Sequence, residues 1–414
     1  MLSRIHYFLL FAVAFAVTAL LVPVVRRLAI HFDIVDKPGP RRVNKEPIPR
    51  MGGVAMFGGL LAAMFVEYLF ELLGLWYGPF ITSSGVSVRI IGIIVGFAVI
   101  VFVGVLDDVF SLTPYAKCVG QIVASCIIVG TGTLIMRFHM PFSDDIVVLG
   151  AAAYPITVLY LIAFINVINL IDGLDGLAAG VAAIDALTLF IIVLTLLRID
   201  AALLCVIIIG ICLGFLIYNF HPASIFMGDS GSMLLGLALG TVSLLGSARF
   251  ASITIALVPI VIALVPIIDS IAAVIRRLRA HRPITSADAG HIHHRLLLRG
   301  YSQRKVVLLV YAWTALLSIG ALLMWEMGGI VKYTVFVVLL CASAFVAWRV
   351  GLFGPTRKRH GRRKDVVYET HAERTARRQA EAQARASQTP AEALPGEPAA
   401  EPAEAQATGS GDGA

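Results

Sequence analysis

The chain has 414 residues, of which 58% are hydrophobic and only 14% charged; its formal net charge is +7 and its mean hydropathy +0.88. This composition excludes a soluble globular protein and is typical of a polytopic membrane protein. All five cysteines lie in apolar segments without a CxxC pair, which favours core thiols over a disulfide or a zinc site.

Apolar runs of about 20 residues, enough to cross roughly 30 Å of hydrocarbon, recur along the chain. We therefore predict an all-α integral membrane bundle of about eleven transmembrane helices. The predicted spans lie near 5–25, 52–73, 88–106, 115–135, 147–170, 174–197, 201–218, 230–247, 251–275, 306–326 and 330–351. The first is not a recognisable signal peptide, because no small-residue cleavage site follows it.

The distribution of Lys and Arg orients this bundle, because basic residues favour cytoplasmic loops. Basic residues are concentrated at 26–50, 276–305 and 357–364, and they are nearly absent from the loops at 74–87, 136–146, 198–200 and 247–250. With eleven spans, the N-terminus is predicted outside and the C-terminus in the cytoplasm. Residues 1–354 form the predicted transmembrane domain, and 355–414 a disordered cytoplasmic tail, basic and then rich in Ala, Pro and Glu.

The first two polar stretches lie on the predicted cytoplasmic side. DKPGPRR at 36–42 leads to IPRMGG at 48–53, and its arginines, among them Arg42, suit phosphate, although a purely topogenic basic loop explains them equally well. At the end of the third span, Asp107 and Asp108 are adjacent and Lys117 follows. Neighbouring carboxylates repel unless a cation neutralises them or one is protonated, which favours a catalytic or metal-binding role.

The third stretch, NVINLIDGLDG at 166–176, places two amides and two carboxylates at a spacing of three in an apolar segment. On a helix this spacing keeps Asn166, Asn169, Asp172 and Asp175 on one slowly drifting face. Such groups are costly there unless they bind a ligand or one another. An interhelical hydrogen-bond cluster is the alternative, but the glycine after each aspartate favours the close approach of a ligand.

The fourth stretch runs from Asn219 to IFMGDSGS at 225–232, where Asp229 precedes a predicted helix start whose free N–H groups attract phosphate. The fifth is HIHHRLL at 291–297, in a basic loop. No cysteine or acidic cluster at ligand spacing completes a zinc site there, so His291, His293, His294 and Arg295 are better placed for phosphate or sugar. Together the stretches predict phosphoryl transfer between a soluble nucleotide and a lipid.

In their order along the chain and in their residue patterns, these five stretches resemble the polyprenyl-phosphate N-acetylhexosamine-1-phosphate transferases of bacterial envelope synthesis, known as glycosyltransferase family 4. The resemblance runs from about Asp36 to Arg299. It implies transfer of a sugar-1-phosphate from a UDP-sugar to undecaprenyl phosphate at the cytoplasmic face of the bacterial plasma membrane, with release of UMP. It implies Mg²⁺ as cofactor, with Mn²⁺ as the alternative ion, no nucleic-acid partner, and leaves a homodimer open.

The resemblance also assigns roles. Asn169 and Asp229 are expected to hold Mg²⁺ on the diphosphate. Asp107 and Asp108 are expected to serve the lipid phosphate, one of them as its base. Asp172 is expected near the reacting phosphates and Asp175 near the uridine. The remaining expected substrate contacts are Arg42, Lys117, Asn166, Asn219, His291, His293, His294 and Arg295.

Within the family, HIHHRLL and the short interval from Asp108 to Lys117 resemble the branch that uses UDP-N-acetylglucosamine and starts teichoic acid, O-antigen or related linkage units. The muramoyl-pentapeptide transferases have three consecutive histidines, and Ile292 and Arg295 depart from their pattern. Asn44 stands where relatives often have histidine. The same reaction with another UDP-sugar, such as UDP-MurNAc-pentapeptide, remains an alternative, and an ion-coupled transporter is a more distant one. One-step and two-step mechanisms are both open.

Overall fold

The computed structural model describes residues 4–36, 47–83, 85–139, 145–247, 259–281, 290–327 and 329–354. Twelve α-helices carry the architecture within these ranges. They are α1 (Arg4–His31), α2 (Gly52–Leu72), α3 (Val88–Phe110), α4 (Pro114–Gly130), α5 (Ala153–Ile171), α6 (Leu177–Thr195), α7 (Ile199–Asn219), α8 (Gly228–Ser247), α9 (Leu264–Arg279), α10 (Ile292–Leu298), α11 (Gln303–Glu326) and α12 (Val331–Val350). A short 3₁₀ helix, Gly150–Ala152, precedes α5.

The prediction of an all-helical, multi-pass membrane protein is confirmed. In the described part of the chain, nine helices are long and apolar enough to span a membrane, namely α1, α2, α3, α5, α6, α7, α8, α11 and α12. The predicted span at 115–135 is the shorter apolar helix α4, which ends at Gly130. Of the predicted span at 251–275, residues 251–258 lie outside the described residues, as does the predicted tail from 355.

The centre of the bundle is α8, which packs against α2, α3, α5, α6 and α7. In the membrane-spanning part of α8, 89% of the residues are buried, against 11% in that of α12. Helix α12 therefore lies at the periphery, with an exposed apolar surface suited to lipid. Glycines permit this close packing, because a Cβ on Gly104 of α3 would overlap the backbone of Ser230 at the start of α8.

Consecutive helices from α1 to α8 run antiparallel, so the C-terminal ends of odd-numbered helices meet the N-terminal ends of even-numbered ones. We call this end of the bundle the polar end. Short connections form it: Ser111–Thr113 between α3 and α4, and Asp172–Gly176 between α5 and α6. A two-stranded antiparallel ribbon of β1 (Val35–Asp36) and β2 (Ile48–Pro49) joins α1 to α2 there.

The opposite end carries two short antiparallel ribbons and its own buried polar contacts. The ribbons are β3 (Ile81–Thr82) with β4 (Gly85–Val86), and β5 (Arg137–His139) with β6 (Ile146–Val148). His6 pairs with Glu67 in the interior, and Arg198 forms an ion pair with Asp200 at 2.7 Å. Asp200 is therefore an acidic residue remote from the polar end.

Candidate active site

The polar end is organised around the ammonium group of Lys117, in the first turn of α4. Its Nζ lies 2.6 Å from Asp107 Oδ2 and 2.5 Å from Asp229 Oδ2. Asn169, near the end of α5, donates from Nδ2 to Asp229 Oδ1 at 2.7 Å. Four helices thus meet through the contacts of Asp107, Lys117, Asn169 and Asp229. These residues lie up to 122 positions apart in the sequence.

Local sequence places these side chains. Thr113 caps α4, its hydroxyl accepting from the N–H of Ala116 at 3.3 Å, and Pro114 occupies the first turn, where no N–H is needed. This start fixes Lys117 one turn into the helix. On α8, Ser232 accepts the second N–H of Asn169 at 2.8 Å, which orients the amide of Asn169 toward Asp229.

The two adjacent carboxylates at the end of α3 differ in their contacts. Asp107 accepts one N–H, from Leu112 at 2.8 Å, and directs Oδ2 to Lys117. Asp108 instead accepts three bonds from the start of α8. They come from the N–H of Asp229 at 2.9 Å, the N–H of Ser230 at 3.2 Å and the hydroxyl of Ser230 at 2.8 Å. Asp108 therefore acts as the N-terminal cap of α8 and holds Asp229 in place.

Asp172 follows the last residue of α5 and completes an acidic cluster with Asp107, Asp108 and Asp229. Burial, followed by the charges of Asp229 and Asp108, raises the pKa of Asp172 to about 8, and the charge of Arg50 opposes the shift. Asp172 thus lies in a field in which a further negative charge is unfavourable without a compensating cation. A phosphate-bound divalent metal is such a cation.

The residues present fit a magnesium ion. In the described part of the chain, no group of three or more His, Cys, Asp and Glu side chains has the arrangement of a complete metal cage. Mg²⁺ does not require one, because it is commonly held by one or two carboxylates together with water and substrate phosphates. Asp229, with the carboxamide of Asn169 and the carboxylate of Asp107 beside it, supplies that oxygen donor set, and Lys117 already lies between the two carboxylates.

Asp175 and Asn219 shape the loop that follows α7. Asp175 Oδ2 accepts from the N–H of Ala223 at 3.1 Å and lies 2.7 Å from His221 Nδ1. Asn219, 4% exposed, accepts from the N–H of Gly176 at 2.9 Å and donates to the carbonyl of Ile225 at 2.9 Å. Both side-chain ends of Asn219 are thereby occupied, so its contacts support the loop geometry around Asp175.

Asn166 is paired with Gln121, a residue that the sequence analysis did not select. Its Nδ2 donates to Gln121 Oε1 at 2.8 Å, and Gln121 Nε2 donates back to Asn166 Oδ1 at 3.4 Å. The pair joins α5 to α4 one turn below Asn169. This geometry is that of the interhelical hydrogen-bond cluster weighed as an alternative.

The histidine motif forms α10 and reaches the acidic cluster through His293. The imidazole of His293 is 2% exposed and packs against Gly173, the residue after Asp172. Burial, followed by the charges of His294 and His291, lowers the pKa of His293 well below its usual value. The ring centroids of His293 and His294 are 4.3 Å apart. His293 is therefore a neutral ring at the edge of the site.

Arginines at the polar end have backbone partners. Arg295 donates to the carbonyls of Gly290 at 2.9 Å and Gly354 at 2.6 Å, which ties α10 to the end of α12. Arg304 donates to the carbonyl of His221 at 3.1 Å. Arg50 pairs with Asp36 across the ribbon of β1 and β2. Arg42 lies outside the described residues, and its predicted substrate contact stays a prediction.

Sequence reasoning missed Gln121, His221 and Asp269. Asp269 interrupts an apolar run in α9 and lies 2.9 Å from His291 Nδ1, so the signal used for Asp172, an acid in an apolar segment, could have found it. His221 and Gln121 carried no such signal, because neither residue type is unusual at a helix boundary or on a helix face.

Comparison with known proteins identifies the same family that the sequence motifs resemble. The sequence profile of glycosyl transferase family 4 matches residues 90–247, from α3 to the end of α8. A Bacillus subtilis protein named "Probable undecaprenyl-phosphate N-acetylglucosaminyl 1-phosphate transferase" is 36% identical over 314 residues, which cover 76% of this chain and 84% of that protein.

Two further relatives extend the comparison. The "Decaprenyl-phosphate N-acetylglucosaminephosphotransferase" of Mycobacterium tuberculosis is 37% identical over 318 residues, covering 72% of this chain and 77% of the relative. The "Undecaprenyl-phosphate alpha-N-acetylglucosaminyl 1-phosphate transferase" of Yersinia pestis is 27% identical over 378 residues, covering 88% and 96%. The similarity therefore extends over most of the length of each relative.

Proposed function

This chain belongs to glycosyl transferase family 4, and from that premise we propose that it transfers N-acetylglucosamine-1-phosphate from UDP-N-acetylglucosamine to undecaprenyl phosphate and releases UMP. An oxygen of the lipid phosphate attacks the phosphorus that bears the sugar. The bond from that phosphorus to the oxygen bridging to UMP breaks, so the lipid carries a diphosphate-linked sugar and UMP leaves with the electron pair of the broken bond.

The contact of Asp107, Lys117, Asn169 and Asp229 at one end of the bundle is the observation that carries this proposal. Phosphoryl transfer requires positioning and charge stabilisation more than covalent chemistry from the protein. Asp229 and Asn169 would hold Mg²⁺, which when bound supplies charge neutralisation for the diphosphate. The ammonium of Lys117 adds a second positive charge beside the reacting phosphates.

The contacts favour Asp107 over Asp108 as the carboxylate that serves the lipid phosphate. Asp107 Oδ2 lies 2.6 Å from the ammonium group at the flexible end of the Lys117 side chain, whereas both oxygens of Asp108 accept bonds from the start of α8. Asp107 is thus placed to accept the proton of a monoprotonated lipid phosphate, or to act as nucleophile in a two-step route. UMP release without lipid, stoichiometric with enzyme, would favour the two-step route.

The choice of donor rests on the relatives' names, which specify N-acetylglucosamine, and on the HIHHRLL motif. We expect purified protein with Mg²⁺ and undecaprenyl phosphate to release UMP from UDP-N-acetylglucosamine. UDP-MurNAc-pentapeptide is the competing donor, and UMP release from that donor alone would overturn the assignment. The matched control is the Asp229→Ala variant at the same concentration, from which no UMP release is expected with either donor.

We also propose that the polar end faces the cytoplasm, since the described parts of the basic loops, residues 26–36, 47–50, 276–281 and 290–305, lie there. Tyr77 is 92% exposed at the opposite end and Phe32 is 66% exposed at the polar end. In a cysteine-free background, a membrane-impermeant thiol reagent should label Tyr77→Cys in intact cells and Phe32→Cys only after cell lysis. The reverse pattern would invert the orientation.

A further inference from the structure

Asp269 is a buried acid in α9 that lies outside the acidic cluster and is 2% exposed. Its Oδ2 lies 2.9 Å from His291 Nδ1, and its Oδ1 accepts from the N–H of Ile292 at 2.9 Å. Both carboxylate oxygens therefore hold the first residues of the histidine motif. A buried carboxylate is costly unless its hydrogen bonds compensate, so this placement requires an explanation.

The contacts continue from Asp269 to the acidic cluster. The rings of His291 and His293 are stacked, with centroids 5.8 Å apart and planes at 3°. His293 in turn packs against Gly173, next to Asp172. Through the ring of His293, the ring of His291 thus lies next to the loop that carries Asp172.

A carboxylate bonded to one nitrogen of a histidine fixes its tautomer. The proton is placed on Nδ1, the ring is oriented, and the basicity of Nε2 increases. In the described part of the chain, the bond to Asp269 is the only hydrogen bond of the His291 side chain. Nε2 is therefore the nitrogen left for a ligand.

We propose that Asp269 is a positioning residue for donor recognition: it orients His291 so that Nε2 contacts the sugar-phosphate of the UDP-sugar. This inference rests on the proposed function, because it names the donor as the ligand of His291. Asp269 itself touches no substrate and acts through His291 alone.

The test is a double-mutant cycle on Asp269→Asn and His291→Ala, read as UDP-N-acetylglucosamine binding by calorimetry and as steady-state UMP release. Asn keeps the shape of the side chain, and its oxygen can still accept from the N–H of Ile292. Its NH₂ group, however, cannot accept a hydrogen bond from Nδ1 of His291. We expect Asp269→Asn to raise the KM for the UDP-sugar roughly 10-fold. This is the lower end of the effect expected when a histidine that binds a ligand loses the carboxylate that orients it. KM for undecaprenyl phosphate should not change.

The cycle separates positioning from a purely structural role. In the His291→Ala background, Asp269→Asn should have no further effect on donor affinity, because the ring that it orients is gone. Additive losses, or equal increases in both KM values, would overturn the proposal. Asp200→Asn, which changes a buried ion pair at the opposite end, is the matched control and should leave both KM values unchanged.

A second variant tests the proposal if Asp269→Asn folds poorly. His291→Asn retains a donor near the position of Nδ1 but has no Nε2, so it should keep the thermal stability of the wild type and weaken donor binding as much as His291→Ala. Wild-type donor affinity in His291→Asn would overturn the inference. If the wild type binds UDP-N-acetylglucosamine without releasing UMP, the proposed function fails while the binding cycle still decides the role of Asp269; a wild type that binds no UDP-sugar overturns both.

Discussion

Replacing Asp229 with Ala is expected to lower kcat roughly 10²- to 10³-fold, the scale of losing one preorganised charge-stabilising group in an active site. Asp229 is the residue at which three contacts converge: Lys117 on Oδ2, Asn169 on Oδ1, and Asp108 on its backbone N–H. Its removal leaves Lys117 with one carboxylate and takes away the main oxygen donor that we propose for Mg²⁺. UMP release from UDP-N-acetylglucosamine measures the effect.

A second measurement separates metal binding from catalysis. Anything that binds the folded state alone stabilises it, so MgCl₂ should raise the unfolding temperature of the detergent-solubilised wild type and have no such effect on Asp229→Ala. Asp200→Ala is the control acid at the opposite end, and its Mg²⁺ response should match that of the wild type. Near-normal UMP release by Asp229→Ala would remove this residue from the site.

Much of this arrangement could be predicted from the sequence, because a polar group in an apolar segment is energetically costly and therefore indicates a site. Polar residues in apolar segments and clustered basic loops both mark the same end of the bundle, and the structure places Asp107, Lys117, Asn169, Asp172 and Asp229 there together. The helices could be predicted for the same reason. The nine long apolar helices found among the described residues have few alternatives to spanning a membrane.

The division of labour among these residues could not be predicted, because it depends on partners distant in sequence. Asn166 and Asn169 occur in one repeat, yet one pairs with Gln121 and the other with Asp229. Spacing along a helix gives the face on which a residue lies and says nothing about the residue on the opposing helix. The same limit concealed Asp269, whose bond to His291 spans 22 positions.

The adjacent acids Asp107 and Asp108 show this limit most clearly, and they yield a second large expected effect. Asp107→Asn should reduce kcat roughly 10²- to 10⁴-fold, the range for loss of a positioned acid or base, because it removes the charge facing Lys117. Its thermal stability should remain near that of the wild type, because the amide oxygen can still accept the N–H of Leu112. UMP release and thermal unfolding, measured on the same preparation, test both statements.

Asp108→Ala should act through structure instead. It leaves the N–H groups of Asp229 and Ser230 without their carboxylate acceptor at the buried start of α8, whereas the Ser230 hydroxyl keeps the carbonyl of Met227. Each buried donor that loses its partner costs about 1–3 kcal/mol, so the unfolding temperature should fall clearly and activity should fall with it, because Asp229 shifts. A stable, inactive Asp108→Ala together with an unstable Asp107→Asn would reverse the assignment. Two neighbouring carboxylates are thus expected to act differently: Asp107 faces Lys117 and the proposed phosphates, and Asp108 holds the start of α8.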